Sequence, residues 1–289
     1  LSQEYQLIKT SGLFDDIYYQ SQAGDLIGYN GDTVLHYLTE GVLFGFDPHP
    51  LFRSVYYIEC HPELVHEIRN PLAHYIEVGA KKGLDPSPYF ITAYYLNRYP
   101  DVEQSGINPL YHFITIGYKE GRWPHPLFDS SYYYAQNHEI LSNGYNPWLS
   151  FLFSQNKSIH TNPNPFFDTA YYLNRYPDVV KAGINPLIHY YHYGAEENRN
   201  PCLLFRTDYY RGNHPEVEAS GLNPLEHYLS VGLRSGLNPH PLFDCEYYKS
   251  LYPDVQESGD PPLLHYMKIG INEKRNPHPL LDVPFLLNQ

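Results

Sequence analysis

The sequence repeats itself every 38 or 39 residues, and this period constrains the fold more than any other feature. Tyrosine pairs mark the repeat and begin at Tyr18, Tyr56, Tyr94, Tyr132, Tyr171, Tyr209 and Tyr247. A second column lies 18 residues after the start of each pair, at His36, His74, His112, Ser150, His189, His227 and His265. A period of roughly 20–50 residues is typical of solenoids and other repeat arrays. We therefore expect stacked units instead of one globular core.

The period divides almost the whole chain into seven units. Residues 1–12 precede the first unit as an N-terminal cap or tail. Residues 280–289 follow the last one as a truncated eighth repeat or a C-terminal cap. The seven repeats are expected at residues 13–50, 51–88, 89–126, 127–165, 166–203, 204–241 and 242–279.

Each repeat carries start and stop signals for two to three short helices. An acidic residue such as Asp168 precedes the tyrosine pair as an N-cap. A Pro-Asp step such as Pro177 opens a second segment, for which Gly183 supplies a C-terminal stop. An Asn-Pro step such as Asn185 opens a third segment, which we expect to end near Gly194. Since no segment alternates polar and apolar residues, the predicted fold class is an all-α solenoid.

Composition excludes several classes of protein. Of 289 residues, 18% are charged and 16% aromatic, including 31 Tyr, which indicates a folded chain. Acidic residues outnumber basic ones by 32 to 19 and no basic cluster occurs, so we expect no nucleic-acid partner. We also expect no membrane span, because no apolar run approaches about 18 residues. No signal peptide is visible, and a start at Leu1 instead of Met indicates a fragment or a processed product.

The histidine column resembles a set of metal ligands, but its spacing argues for a structural role. Zinc ligands lie about 2 Å from the ion, whereas equivalent positions on stacked helical repeats are about 10 Å apart. We expect each imidazole to bond a buried Tyr hydroxyl or a turn carbonyl, and unfolding to become easier as pH falls through about 6 to 4. The columns predicted to be structural comprise His36, His74, His112, His189, His227, His265, Tyr94, Tyr95, Tyr171 and Tyr172.

Other candidate sites are weak. His189 and His192 share a helix face and form the best local metal pair, but no third ligand accompanies them. We therefore predict no metal and no cofactor. Cys202 and Cys245 lie in adjacent repeats, which leaves one disulfide open. No catalytic residue is predicted, since the phosphate-binding, hydrolase and metalloprotease motifs are missing and repeated Asp columns are explained by helix capping.

The fourth repeat departs most from the others. It has one extra residue, and Ser150 and Gln155 replace the usual His and Gly. One interpretation is neutral drift with a local bend in the superhelix. The other is a ligand or partner site, since aromatic and amide side chains together suit sugars. The residues that would form this site are Tyr145, Trp148, Asn156 and His160.

The repeat resembles a known type of bacterial tandem repeat. The stretches that match best are Phe167-Asp168, Tyr171–Leu173, Tyr176–Val179, Asn185–Leu187 and His189-Tyr190. Repeats of this type accompany glycosyltransferase and rhamnan-synthesis-type domains, and occur in some large secreted proteins. The resemblance implies a bacterial protein of polysaccharide synthesis, with the cytoplasm favoured and secretion left open.

The first functional hypothesis is a non-catalytic scaffold, an accessory region that presents a surface to a glycan, a protein or a flanking catalytic domain. The second hypothesis is a part of an active glycosyltransferase whose catalytic domain lies outside this segment. The third is a structural module of a secreted protein.

Overall fold

The computed structural model describes residues 1–23, 31–62, 70–138, 144–153 and 161–287. Within these ranges the chain is helical, with isolated two-residue bridges at turns and no strand. The predicted all-α solenoid class is confirmed. The repeats group into two compact units, Leu1–Gln155 and Asn156–Gln289, and the division falls inside repeat four.

The first helix of every repeat carries the tyrosine pair. Its second tyrosine is buried and its first is partly exposed or exposed, as Tyr172 and Tyr171 illustrate. The acidic caps are confirmed: Asp168 accepts the amide N–H of Tyr171, and Asp129 and Asp244 act in the same way. The first helices are Asp16–Ala23, Ser54–Cys60, Thr92–Arg98, Ser130–Gln136, Thr169–Arg175, Thr207–Asn213 and Cys245–Leu251.

The second helices are short and end as predicted. Each described one stops at a glycine with left-handed backbone, for example Gly183 at φ 66°. A side chain with a Cβ is strained in that conformation, so glycine suits the position. The described second helices are Pro100–Ser105, Pro177–Ala182, Glu216–Ser220 and Asp254–Ser258.

The third segment begins as predicted and contains a π-helical turn that was not predicted. Asn185 caps it by accepting the amide N–H groups of Leu187 and Ile188. A single helical turn then passes into a wider π-helical turn in six of the repeats. The α-helical parts are Thr33–His36, Pro71–His74, Pro109–His112, Pro147–Phe153, Pro186–His189, Pro224–His227 and Pro262–His265. The π-helical parts are Tyr37–Gly41, Tyr75–Gly79, Phe113–Gly117, Tyr190–Gly194, Tyr228–Gly232 and Tyr266–Gly270.

The predicted end near Gly194 is confirmed in four repeats, where the helix ends at Gly41, Gly117, Gly194 and Gly270, and is wrong at Gly79 and Gly232, where a further helical turn follows. Gly79 has helical dihedral angles, with φ at −60°, and a turn at Ala80–Lys82 follows it. Gly232 is likewise followed by Leu233–Ser235. The left-handed stop comes later, at Gly83 and Gly236. Positions 79 and 194 are glycine because a side chain there would overlap a tyrosine hydroxyl, as described below.

Hydrogen bonds at one position join each repeat to the next. Thr207, which opens the first helix of repeat six, donates its hydroxyl to the carbonyl of Arg199 at 2.7 Å. Its amide N–H donates to the side chain of Asn200 at 3.0 Å. A serine, threonine or cysteine takes the same place in the other repeats, at Ser54, Thr92, Ser130, Thr169 and Cys245. The stacking is therefore fixed by backbone-directed bonds as well as by apolar packing.

Residues outside the seven repeats are also helical. Ser2–Ser11 forms the N-terminal helix, and Val283–Leu286 forms a final turn. Tyr5 on the N-terminal helix donates its hydroxyl to Asp32 at 2.6 Å. The segment before repeat one is thus attached to the first unit.

The asparagine caps should contribute measurably to stability. We expect Asn185→Ala to lower the free energy of unfolding by about 1 kcal/mol, because two amide N–H groups lose their acceptor. Asn185→Asp keeps an acceptor and should stay within about 0.5 kcal/mol of the parent. Urea denaturation followed by circular dichroism measures both. Equal loss in the two variants would contradict the capping role.

Candidate functional site

The histidine column bonds the buried tyrosine of its own repeat. In repeat five the hydroxyl of Tyr172 lies 3.0 Å from Nδ1 of His189, and both side chains are buried. The distance between hydroxyl oxygen and Nδ1 ranges from 2.7 to 3.1 Å across six repeats. The six pairs are Tyr19–His36, Tyr57–His74, Tyr95–His112, Tyr172–His189, Tyr210–His227 and Tyr248–His265.

The electrostatics of the pair in repeat five favour neutral partners. Burial raises the pKa of Tyr172 well above its usual range, so the hydroxyl keeps its proton. Burial also lowers the pKa of His189, with the guanidinium of Arg199 adding to the effect. We infer that Nδ1 of the neutral imidazole accepts a hydrogen bond from the tyrosine hydroxyl, which places the ring's own hydrogen on Nε2.

A glycine completes each pair by leaving room for the hydroxyl. The Tyr172 oxygen lies against the α-carbon of Gly194, where a Cβ would overlap it. The same contact occurs in the other five repeats that keep the histidine, at Gly41, Gly79, Gly117, Gly232 and Gly270. Tyrosine, histidine and glycine are therefore one structural set. Repeat four has Ser150 in place of the histidine and Gln155 in place of the glycine. The replacement of both residues in the same repeat was the sequence signal for this set.

A second recurring set was missed by the sequence analysis. Asp178 follows Pro177 at the start of the second helix, as the Pro-Asp step predicted. Its carboxylate also forms an ion pair with the guanidinium of Arg199, 21 residues later, with an N–O distance of 2.7 Å. The Arg199 guanidinium lies over the ring of Tyr176, whose hydroxyl accepts the Asn200 amide N–H. This ion pair lowers the pKa of Asp178. The equivalent pairs are Asp101–Arg122 and Asp254–Arg275, and the constant spacing of 21 residues was the available signal.

A third set consists of histidines in the linkers between repeats. His49 Nδ1 accepts the amide N–H of Leu51 at 3.0 Å and so closes a tight turn. His125, His240 and His278 make the same bond. Asn164 and Ser87 take over this acceptor role in other repeats. These imidazoles, like the first column, have a structural task.

Of the four fourth-repeat candidates, the structure describes Trp148 and Tyr145. Trp148 is fully buried, because it follows Asn146-Pro147 as the core residue Leu110 follows Asn108-Pro109. Its Nε1 donates to the carbonyl of Tyr89 at 2.9 Å. Its ring packs on that of Phe128, with the two ring centroids 4.6 Å apart. Its ring thus offers no face to a ligand. Tyr145 is 64% exposed, and Asn156 and His160 lie outside the described residues.

The remaining candidates for chemistry are spread apart. In the described part of the chain, no three His, Cys, Asp or Glu side chains lie close enough to hold a metal ion. His189 is engaged by Tyr172, while His192 lies between the rings of Tyr191 and Tyr193. Cys202 and Cys245 are free thiols, and burial raises the pKa of each to about 12.

Searches for similar proteins returned nothing. No protein-family model, no curated protein and no solved structure matches this chain. Its own geometry therefore carries the functional argument. The helices in the described ranges are also too short or too polar to cross a bilayer.

Buried groups give the protein opposing responses to pH, so the predicted acid sensitivity is only part of the behaviour. Burial lowers the pKa of His49 to about 4, and its contribution to stability is lost as pH falls from about 6.5 towards that value. Burial raises the pKa of Asp85 to about 6 and that of Glu226 to about 7. The contribution of each carboxyl is complete at low pH and is lost as pH rises through its folded pKa.

The Glu226 carboxyl supplies a direct test of this balance. It accepts the Tyr191 hydroxyl at 3.3 Å, and its raised pKa makes ionisation above pH 7 costly in the folded state. We expect Glu226→Gln to gain about 2 kcal/mol of unfolding free energy relative to the parent between pH 5 and about pH 8.5. The exposed Glu257 gives the matched Glu257→Gln control. Parallel pH profiles for parent and E226Q in urea denaturation would contradict the assignment.

Proposed function

We propose that this chain is a non-catalytic helical-repeat scaffold, an accessory region of a bacterial polysaccharide-synthesis glycosyltransferase that presents a surface to a glycan or a protein. The observation that carries the proposal is the use of the His, Tyr and Asp columns. In repeat after repeat they bond other parts of the same chain, as Tyr172–His189 and Asp178–Arg199 do. Histidine, tyrosine and aspartate side chains, which are catalytic in many enzymes, here form hydrogen bonds and ion pairs that stabilise the repeats.

Exposed apolar side chains at one repeat position support a binding role. In repeats three to six, the residue before the Asn-Pro step that opens the third helix is solvent-exposed although it is apolar or aromatic. The examples are Ile107, Tyr145, Ile184 and Leu222, with exposed fractions between 37% and 64%. A single exposed apolar residue is ordinary, but its recurrence at one repeat position, twice within each unit, offers a repeated contact to a partner of that unit.

Two assays on the purified chain test this proposal. Incubation with nucleotide sugars should release no nucleoside diphosphate above buffer, whereas turnover would establish the glycosyltransferase alternative. Immobilised chain should bind surface polysaccharide, or the flanking catalytic domain, from the source bacterium in biolayer interferometry. Leu222→Glu should weaken that binding, and Ala219→Glu, at an exposed position three residues away, should not.

Absence of binding to both partners would contradict the scaffold proposal. An unchanged polysaccharide yield after in-frame deletion of codons 13–279 in the parent gene would favour a structural module instead.

A further inference from the structure

A cavity of about 520 Å³ that is largely open to solvent lies at the surface of the first unit, where residues of repeats one, three and four meet. Its volume falls within the range of roughly 300–1,000 Å³ that small-molecule sites occupy. Apolar walls come from Phe14, Ile114 and Leu149. Polar groups on the wall come from Asp15, Asp16, His49, Thr115, Tyr118 and Asn146.

Three of the polar side chains retain donor or acceptor atoms in addition to those that form hydrogen bonds within the protein. Asp15 uses Oδ1 to accept the Tyr18 amide N–H, which leaves its second carboxylate oxygen. Asp16 accepts the Thr33 hydroxyl with one oxygen and likewise keeps the other. Asn146 accepts the Trp148 amide N–H through Oδ1, which leaves its NH₂ group as a donor. The wall therefore presents both acceptors and donors.

His49 is the most distinctive member of the wall. It is only 7% exposed, and its Nδ1 is engaged by the Leu51 amide N–H. Its Nε2 makes no hydrogen bond to another described residue. The pKa of about 4 keeps the ring neutral at pH 7, so Nε2 carries a hydrogen. This N–H is not fully shielded from solvent, so a ligand acceptor can take the place of water on it.

The chemistry of this wall selects one ligand class. A pyranose has hydroxyls that donate to carboxylates and accept from N–H groups, and a C–H face that packs on apolar side chains. No lysine or arginine is among the lining residues in the described ranges, and two carboxylates would repel an anionic sugar. A cation site would require a more complete set of oxygen ligands, without a neutral imidazole and apolar walls.

We propose that this cavity binds one neutral hexopyranose unit, with Asp15 and Asp16 accepting sugar hydroxyls and with His49 and Asn146 donating to them. The inference rests on the proposed function only in taking the ligand to be part of a glycan. It adds a defined subsite in the first unit to the exposed contacts along the repeats.

Isothermal titration of the full chain with methyl β-D-glucopyranoside, methyl α-D-mannopyranoside, methyl β-D-galactopyranoside and glucuronate tests the proposal. At least one neutral methyl hexoside should bind, and glucuronate should not. Asp15→Asn retains an N-cap, and His49→Asn retains the turn acceptor that Asn164 supplies elsewhere. Each should lower the affinity roughly tenfold through loss of one hydrogen bond to the sugar.

Two matched controls change the same repeat positions in the second unit. Asp168 is the N-cap equivalent of Asp15, and His240 is the turn equivalent of His49. Asp168→Asn and His240→Asn should leave affinity unchanged, and circular dichroism melts should show all four variants folded.

Failure of every neutral hexoside to bind would overturn the proposal, as would equal affinity in the parent, D15N and H49N. Neither result bears on the polysaccharide-binding and turnover assays, so the scaffold proposal would stand or fall separately.

Discussion

Replacement of Trp148 by alanine is expected to lower the free energy of unfolding by about 4 kcal/mol. The side chain is fully buried, and its Nε1 donates to the Tyr89 carbonyl, 59 residues earlier. Loss of the ring would leave a cavity beside Phe128. It would also leave the Tyr89 carbonyl without the Nε1–H donor. Chemical denaturation followed by circular dichroism measures the change.

Trp123 is the matched control for this substitution. It is the other tryptophan of the chain, lies in the same unit and is only partly buried, with Arg98 stacked on it at 4.3 Å. Trp123→Ala should cost about 1 kcal/mol. A small effect of W148A, or equal effects of the two variants, would contradict the core assignment and return Trp148 to the set of candidate surface residues.

Gly194→Ala is expected to cost about 3 kcal/mol, because the new methyl group would overlap the Tyr172 hydroxyl. Tyr172→Phe removes that oxygen and should cost about 1 kcal/mol alone, since His189 loses its partner. Without the oxygen, the atoms nearest to the methyl would be His189 Nδ1 at 3.4 Å and Tyr172 Cζ at 3.5 Å. The double variant should therefore be about as stable as Tyr172→Phe.

Gly212 provides the control for glycine substitution. It lies in the helix Thr207–Asn213, and a Cβ there meets nothing within 4 Å. Gly212→Ala should raise the unfolding free energy by up to about 1 kcal/mol through helix propensity. Denaturant titrations of the four variants test the cycle. Absence of rescue in G194A/Y172F would show that the hydroxyl does not set the requirement for glycine.

The sequence was sufficient for those features that depend on neighbouring residues. Asn185, Asp168 and Gly183 each act within one turn of helix, so their capping and stop roles follow from residue type and local order. The repeat period itself exposed the stacked helical fold, because equivalent signals recur in register. Local chemistry therefore predicted the helix starts well.

Features set by distant residues were not predictable in the same way. Gly194 has the residue type of a helix stop, yet its role also depends on the hydroxyl of Tyr172, which lies on the first helix of the same repeat. The burial of Trp148 depends on Tyr89 in the previous repeat. The cavity joins Asp15 to Asn146, and a scheme in which each repeat meets only its neighbour does not bring these residues together.

The central claim is that the histidine column is structural, because each imidazole bonds the buried tyrosine hydroxyl of its own repeat. Long-range ¹H–¹⁵N correlation spectra of the histidine-labelled protein test it most directly. For His112, His189 and His227, we expect neutral rings at pH 7 with hydrogen on Nε2 and Nδ1 accepting the tyrosine hydroxyl. One equivalent of Zn²⁺ should leave these signals unchanged. Protonated rings at pH 7, or signals that shift with Zn²⁺, would contradict the claim.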